Sequence, residues 1–348
     1  MSVNPEPEAI RQARSDNPKM RPRDLAGRLG ISEGEYVSAF CGHGVTRLDV
    51  EFDTIFSCLE ALGEVMALTR NKSAVHEKIG VYDRFIAGKH AAMMLGEAID
   101  MRMFPAHFVH GFAVETRNGD KLARSLQFFD AHGDAVHKIH GRDGTNIDAW
   151  NRLVERFTSA DQNDRLSVEA RKAGAISTRK VDVAQLRDRW SKLTDTHQFF
   201  PMLRKLEIDR LSAIKNVGGE FAWQVGNDAA ASMLRLAAAE EVPIMCFVNN
   251  PGCIQIHAGP VSKVVEMGPW INVMDPGFHL HLRMDHIAEA WVVRKPTDKG
   301  HVTALEAYDA DGNLFIQFFG KRIEGQDERE PWRMIMENLP RTGEMAVA

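Results

Sequence analysis

The residue best suited to chemistry in this chain is a histidine that precedes two aromatic side chains. The segment TDTHQFFPMLRKL places His197 in the first turn of a predicted helix. Three preceding residues could cap that helix through a side-chain oxygen: Thr194, Asp195 and Thr196. Pro201 has no N–H to bond to the carbonyl of His197, so we predict a loosened or kinked turn at this histidine.

The residues that follow this histidine form an apolar face at helical spacing, made of Phe199, Phe200, Leu203 and Leu206. Such a face usually belongs to a core, and His197 would then be an ordinary core histidine. The other interpretation is an axial haem ligand, because imidazole can face the iron while aromatic rings cover the porphyrin. From the local pattern alone we prefer the core interpretation.

Histidine is abundant, with 14 residues in the chain, and two pairs of histidines are candidate metal ligands. His137 and His140 lie close in sequence, as do His279 and His281, but no cysteine or carboxylate cluster completes a tetrahedral set at the usual spacings. His279 and His281 would share one face of a strand, which leaves a position in a cleft possible.

An internal duplication organises the chain. Residues 66–141 align without a gap with residues 245–320 at an offset of 179, with ten identities that fall mainly at turns and strand ends. The clearest block pairs LQFFDAHGDAVHKIHG with LEAYDADGNLFIQFFG, and each copy reads as a β-hairpin. At this offset Arg102 is opposite His281, and no second DTHQFF motif precedes the first sheet. Any site that uses these residues should therefore be single and asymmetric.

The predicted fold class is α+β, with two tandem homologous halves, each an antiparallel β-meander with flanking helices. Further hairpins are predicted at VMALTRNKSAVHEKIGVY and IMCFVNNPGCIQIHAGPV, and long strands at IDMRMFPAHFVHGFAVET and FHLHLRMDHIAEAWVVRK. Helical patterns flank both sheets, and AWNRLVERF and PWRMIMENL close the two copies. We expect one repeat over residues 1–160, a polar linker over 161–185 and a second repeat over 186–348.

Composition excludes several classes of protein. With 44% hydrophobic and 26% charged residues the chain is globular, and its net charge of −5 gives no general attraction for nucleic acid or anionic lipid. The common nucleotide, hydrolase and metalloprotease motifs are absent from the sequence. No apolar run could span a bilayer and no signal peptide is visible, so we expect a cytoplasmic protein. The four cysteines are expected to be buried, reduced thiols.

A DNA-binding regulator is the alternative function of a different class. Residues 20–40 could form a helix-turn-helix with Gly30 at the turn. The second helix, SEGEYVSAF, offers Glu33 and Glu35 but no Arg, Lys, Asn or Gln to read bases or bind phosphates. We therefore favour a structural helical pair and expect no nucleic-acid partner.

The whole chain resembles the cytoplasmic hemin-degrading and hemin-transport proteins of the HemS/ChuX type, in their long form of two tandem halves. Four motifs carry the resemblance, in the family's order and spacing: RDLAGRLGISEGEYVSA, IDMRMF, DTHQFFPMLRKL followed by LSAIKN, and DADGNLFIQFFGKRIEG. They cover about residues 20–340. This match outweighs the preference for a core histidine at position 197.

The resemblance implies one haem b in a cleft between the halves. His197 stands at the position of the proximal ligand, and Arg102 at that of a distal arginine whose guanidinium could donate to water or dioxygen on the iron. Phe104 and Phe200 match the aromatic walls. The remaining positions help to hold the propionates or line the pocket: Arg210, Lys295, Gln317 and Arg322.

The function implied by the resemblance is intracellular handling of imported hemin for iron acquisition. Family members degrade hemin oxidatively with oxygen and a reductant, or deliver it to a haem oxygenase, and the sequence does not choose between catalyst and carrier. The implied partners are hemin and a haem oxygenase or reductase. The chain could be a monomer or a homodimer.

Overall fold

A computed structural model describes residues 5–171, 182–322 and 327–342. Short helices stand before, between and after the strands, as the amphipathic patterns at the edges of each copy predict. They are α1 Pro7–Asp16, α2 Pro22–Leu29, α3 Glu33–Ser38, α4 Phe52–Cys58, α5 Ile147–Phe157, α6 Val183–Ser191, α7 Phe199–Leu206, α8 Arg210–Val217, α9 Ala229–Ala239 and α10 Glu330–Glu337.

The strands between these helices pair antiparallel, because short turns join most of them. They are β1 Val45–Leu48, β2 Gly63–Arg70, β3 Ala74–Gly80, β4 Phe85–Ile86, β5 Ala92–Leu95, β6 Asp100–Met103, β7 His110–Asn118, β8 Lys121–Phe129, β9 Ala135–Thr145, β10 Ala222–Val225, β11 Ile244–Asn250, β12 Cys253–Gly259, β13 Val264–Met267, β14 Trp270–Asp275, β15 Phe278–Arg283, β16 Glu289–Thr297, β17 Gly300–Tyr308 and β18 Leu314–Gly320.

The chain divides into two compact units. Unit 1 comprises Met1–Arg70, His76–Lys172 and Asn249–Gln255, and unit 2 comprises Asn71–Val75, Ala173–Val248 and Ile256–Ala348. In unit 1 the order β1-β7-β8-β9-β2 forms one sheet, and β4, β5 and β6 pair in sequence. Unit 2 repeats this arrangement with β10-β16-β17-β18-β11 and with β13, β14 and β15. The predicted α+β architecture of two homologous halves is therefore correct.

Strand register confirms the duplication at the level of single residues. In unit 1 Gln127 lies opposite Lys138, and in unit 2 Glu306 lies opposite Gln317, which are the positions 179 residues further on. The identical residues Asn71 and Asn250 also make matching bonds. The Asn71 amide donates to the Phe315 carbonyl and the Asn250 amide to the Val136 carbonyl, each at 2.8 Å.

The repeat also includes the helices before each sheet, which the sequence comparison missed. The α2–α3 and α7–α8 pairs correspond at a spacing of 177 residues, and the first helix of each pair ends in a left-handed residue, Gly30 (φ 72°) or Glu207 (φ 53°). The second helix begins after a capping side chain, Ser32 or Asp209, which accepts a backbone N–H. Few identities survive because caps and apolar positions tolerate several residue types.

One expectation about segments needs correction, and another lies in part outside the described residues. The predicted long strands are interrupted, since a 3₁₀ turn at Pro105–His107 separates β6 from β7 and another at Met284–His286 separates β15 from β16. In the predicted linker, residues 172–181 lie outside the described residues. Before them, the Glu169 N–H donates to the Ala131 carbonyl, and after them α6 already begins at Val183.

The four cysteines are free thiols, as expected. Cys41, Cys246 and Cys253 are buried, whereas Cys58 is only half-buried.

Candidate functional site

His197 lies on a 3₁₀ turn, Thr196–Gln198, directly before α7. Of the three possible caps, Asp195 is the one used: its Oδ1 accepts the His197 backbone N–H at 2.6 Å. The distorted turn is therefore confirmed, and Pro201 occupies the first turn of α7, where its missing N–H costs no helical bond.

The same carboxylate orients the imidazole. His197 Nδ1 lies 2.7 Å from Asp195 Oδ1. The backbone and side-chain hydrogen bonds from His197 lower the pKa of Asp195, which keeps this carboxylate ionised and able only to accept. Nδ1 of a neutral imidazole must then carry the proton, which leaves the Nε2 lone pair available for a metal.

The core interpretation of His197 is wrong, because its side chain is 94% exposed. The apolar face behind it is formed by Phe199 and Leu203, which are buried, with Leu206 packed against them. Phe200 does not belong to that buried face: it is 60% exposed and meets Phe199 edge to face, with 6.2 Å between ring centroids. An exposed aromatic ring close to His197 in sequence is compatible with a wall for a planar ligand.

Three predicted site residues of unit 2 converge on one buried carboxylate, Glu306 in β17. Arg210 Nε donates to Glu306 Oε2 at 2.8 Å, and Nη2 donates to Oε1. Lys295 Nζ and Gln317 Nε2 approach Oε1 at 3.3 and 3.0 Å, and the Tyr308 hydroxyl donates to Oε2 at 2.6 Å. These five residues are called the Glu306 cluster.

The charges of the Glu306 cluster are strongly coupled. Burial alone would raise the pKa of Glu306, but Arg210 and Lys295 outweigh it and lower that pKa to about 2. For Lys295, burial and the charge of Arg210 lower the pKa to about 8 despite the carboxylate. Two cations therefore share one anion, and one net positive charge remains beside the aromatic residues of α7.

Cation–π contacts connect the cluster to the helix that follows His197. The guanidinium carbon of Arg210 lies 5.1 Å from the ring centroid of Phe199 and 5.4 Å from that of Phe200. Lys295 Nζ lies 4.5 Å from the Phe199 ring centroid. Arg210 and Lys295 are thus brought together next to Phe199, and Arg210 also lies next to Phe200.

Sequence reasoning missed Glu306 and Tyr308. The alignment at offset 179 contained an indication, since it pairs Glu306 with another polar residue, Gln127, in the apolar stretches LEAY and LQFF. A polar side chain retained at a buried strand position needs partners, and these could have been sought among the predicted cations.

The remaining predicted residues lie elsewhere. Arg102 belongs to unit 1, in β6, where it is half-buried and pairs with Asp100. Phe104 follows that strand and is also half-buried, with its N–H donating to the Gly252 carbonyl at 2.9 Å. Arg322 follows β18 and is exposed. Their roles at a ligand stay predictions.

The histidine pairs do not form metal centres among the residues that the structure describes. His137 is buried between Thr69 and Tyr82. His279 and His281 share a face of β15 as predicted, with ring centroids 6.5 Å apart.

The helical pair at residues 20–40 offers no reading helix. In α3 only Glu35 is even half-exposed, and its carboxylate accepts the Ser32 N–H in a capping box. Glu33 is buried and pairs with Arg70 and Lys138. A helix whose side chains are buried or bonded within the protein cannot insert them into a DNA groove. This geometry therefore argues against a DNA-binding regulator.

These features define a two-repeat α+β protein whose second repeat presents an oriented, exposed imidazole beside a net positive cluster. The sequence model of the family described as "Haemin-degrading HemS.ChuX domain" matches residues 30–157 and 207–339. The chain belongs to this family.

Relatives match along nearly the whole length of the chain. The hemin transport protein HmuS of Yersinia pestis is 39% identical over 325 residues, 92% of this chain and 93% of the relative. The crystal structure of holo-PhuS, a heme-binding protein from Pseudomonas aeruginosa, superposes with a TM-score of 0.93 at 38% identity, covering 96% of this chain and 98% of that one. The structure of ChuS, an E. coli heme oxygenase, superposes with a TM-score of 0.85 at 35% identity, covering 94% of this chain and 98% of that one.

No helix in the described ranges is both long and apolar enough to cross a bilayer.

Proposed function

We propose that this chain binds hemin through His197 and degrades it oxidatively to release iron. The observation that carries the proposal is the geometry of His197: its Nδ1 is bonded to Asp195, and its exposed side chain directs the Nε2 lone pair away from that bond. Carboxylate–histidine–metal arrangements of this kind fix the tautomer and raise the basicity of the ligating nitrogen.

Hemin fits the residues of the helix that follows this imidazole and of the Glu306 cluster that contacts the helix. Its porphyrin is planar and apolar, which suits the exposed ring of Phe200. Its propionates are anionic, and Arg210 and Lys295 carry one more positive charge than Glu306 neutralises. The site thus combines an iron ligand, an aromatic surface and a counter-charge, in agreement with relatives described as hemin transport and heme-binding proteins.

In this proposal Arg102 serves the other face of the haem. Its guanidinium stays protonated at working pH and can donate a hydrogen bond to oxygen bound there. Such a donor stabilises negative charge that develops during oxygen activation. Delivery of intact hemin to a separate oxygenase is the alternative, because a carrier needs the same iron ligand and propionate partners.

Hemin titration of purified protein tests the binding step. We expect one hemin per chain and a Soret band typical of histidine ligation, and we expect His197→Ala to shift that band and weaken binding. His43→Ala is a matched control, because His43 is also exposed but lies in unit 1. A spectrum and affinity unaffected by His197→Ala would remove this residue from the site.

Single-turnover spectra separate catalyst from carrier. The hemin complex is mixed with ascorbate, with and without catalase. Loss of the Soret band that persists with catalase supports degradation by the protein, whereas a complex that stays intact, or is lost only without catalase, supports delivery.

A further inference from the structure

The buried carboxylate of Glu306 has no assigned role in the handling of hemin. It has no exposed surface, yet four side chains from four different elements donate to it. These are Arg210 from α8, Lys295 from β16, Tyr308 within β17 and Gln317 from β18. A fully buried acid is costly to desolvate, and these donors offset that cost.

The fold itself does not require an acid at this position. In the first repeat the same strand position holds Gln127, opposite Lys138 in the same register. The buried acid of that repeat lies on the helix instead: Glu33 begins α3, and Arg210 begins the corresponding helix α8. Both repeats therefore form an ion pair from this helix position to the sheet, with opposite charges on the helix. The sheet partners lie on neighbouring strands, Lys138 on β9 and Glu306 on β17.

This inversion of charge puts the cations of the second repeat close to the His197 turn. Arg210 and Lys295 both lie over the ring of Phe199, with 5.1 and 4.5 Å to its centroid, and Phe199 begins α7 directly after that turn. Two bonds to Glu306 fix the plane of the Arg210 guanidinium, which otherwise has several rotamers.

We propose that Glu306 is a positioning residue, which holds Arg210 and Lys295 in place for a carboxylate of the ligand bound by His197. The inference rests on the proposed function and deepens it by naming the residue that organises the propionate contact. Glu306 neutralises one of the two cations, and the single positive charge that remains matches one propionate.

The test compares hemin with hemin dimethyl ester, which lacks the propionate charges but keeps the iron and the ring. For the wild type we expect hemin to bind at least about tenfold more tightly than the ester, since hydrogen bonds to a charged group contribute that much. In Glu306→Gln the two cations lose their common anchor and repel each other. We expect this ratio of affinities to fall to about one to threefold, with the histidine-type Soret band retained.

A role in stability alone would change both affinities equally and leave their ratio unmoved. Glu306→Asp keeps the charge on a shorter side chain and should restore the ratio of hemin to ester affinity in part. This variant also tests the proposal if Glu306→Gln does not fold. Glu33→Gln is the matched control, because Glu33 is a buried acid paired with Lys138 and Arg70 in unit 1. We expect it to lower stability and to keep the wild-type ratio.

Two results would overturn the proposal for Glu306: a ratio at or above the wild-type value in every Glu306 variant that folds, or an equal fall of the ratio in Glu33→Gln. Failure of the proposed function looks different. In that case the wild-type protein itself would not bind hemin with a histidine-type spectrum, or His197→Ala would leave that spectrum unchanged.

Discussion

Acid should destabilise unit 1 through one buried histidine, His137. Its side chain is 1% exposed, with Nδ1 2.9 Å from Thr69 Oγ1 and Nε2 2.5 Å from the Tyr82 hydroxyl. Burial, with a smaller effect of the neighbouring His140, lowers the pKa of His137 from 6.5 to about 3. The native structure therefore holds this imidazole neutral, whereas the unfolded chain protonates it below about pH 6.5.

The sign and size of the effect follow from proton linkage. The stability contributed by neutral His137 is complete above the unfolded pKa of 6.5 and is lost as the pH falls towards the folded pKa of about 3. A pH of 4.5 lies two units below the unfolded pKa but above the folded pKa. The unfolded chain is therefore protonated at His137, whereas the native state stays almost entirely neutral there. At about 1.36 kcal/mol per unit, the loss is about 2.7 kcal/mol relative to pH 8.

Urea unfolding at several pH values between 4.5 and 8 measures this loss. His137→Gln removes the titrating group, and we expect it to cost about 1–3 kcal/mol at pH 8 because it breaks at least one buried hydrogen bond. Between pH 8 and pH 4.5 the variant should lose about 2.7 kcal/mol less of its free energy of unfolding than the wild type.

His43→Gln serves as the control for this experiment, because it is the same substitution at an exposed histidine of unit 1. If His137→Gln and the wild type lost stability in parallel as the pH fell, His137 would not be the neutral buried base described above. The acid sensitivity would then belong to other groups, with His140 the first to examine.

Two further predictions concern the ligand, and a third concerns the alternative function. Arg102→Ala should keep most hemin affinity but change the sixth iron ligand and slow reductant-driven haem loss. Arg102→Lys should rescue these properties only in part, because lysine lacks the planar fork of the guanidinium. Wild-type spectra and rates in both variants would make Arg102 a surface residue. Phe200→Ala should alter the free energy of unfolding by no more than about 0.5 kcal/mol, because the ring is 60% exposed. It should nevertheless weaken hemin binding several-fold. Unchanged binding in a fluorescence titration would exclude this ring as a wall of the hemin site. No sequence-specific DNA binding is expected at physiological salt. A salt-resistant mobility shift on one defined duplex, abolished by changes in residues 32–40, would contradict this.

Short-range features were readable from the sequence. The turn at His197 depends on Asp195 and on the neighbouring Pro201, and the hairpins depend on turn residues between alternating strands. The duplication was also visible, because glycines and asparagines at turns have conformational or hydrogen-bonding roles that few other residues fill. Family motifs then identified His197, Arg210, Lys295 and Gln317 without showing that three of them share one partner.

Only the tertiary structure decided which side chains meet. Arg210 and Glu306 are 96 residues apart, and neither residue type nor spacing in the sequence predicts that they form a buried pair. The two repeats carry opposite charges at corresponding helix positions, Glu33 and Arg210. This difference can be seen only when the helices of the two repeats are matched in the structure. The exposure of Phe200 likewise depends on which face of α7 the sheet covers. Local hydrogen bonds are determined by neighbours in the sequence, whereas burial and long-range charge pairing are determined by how distant elements pack.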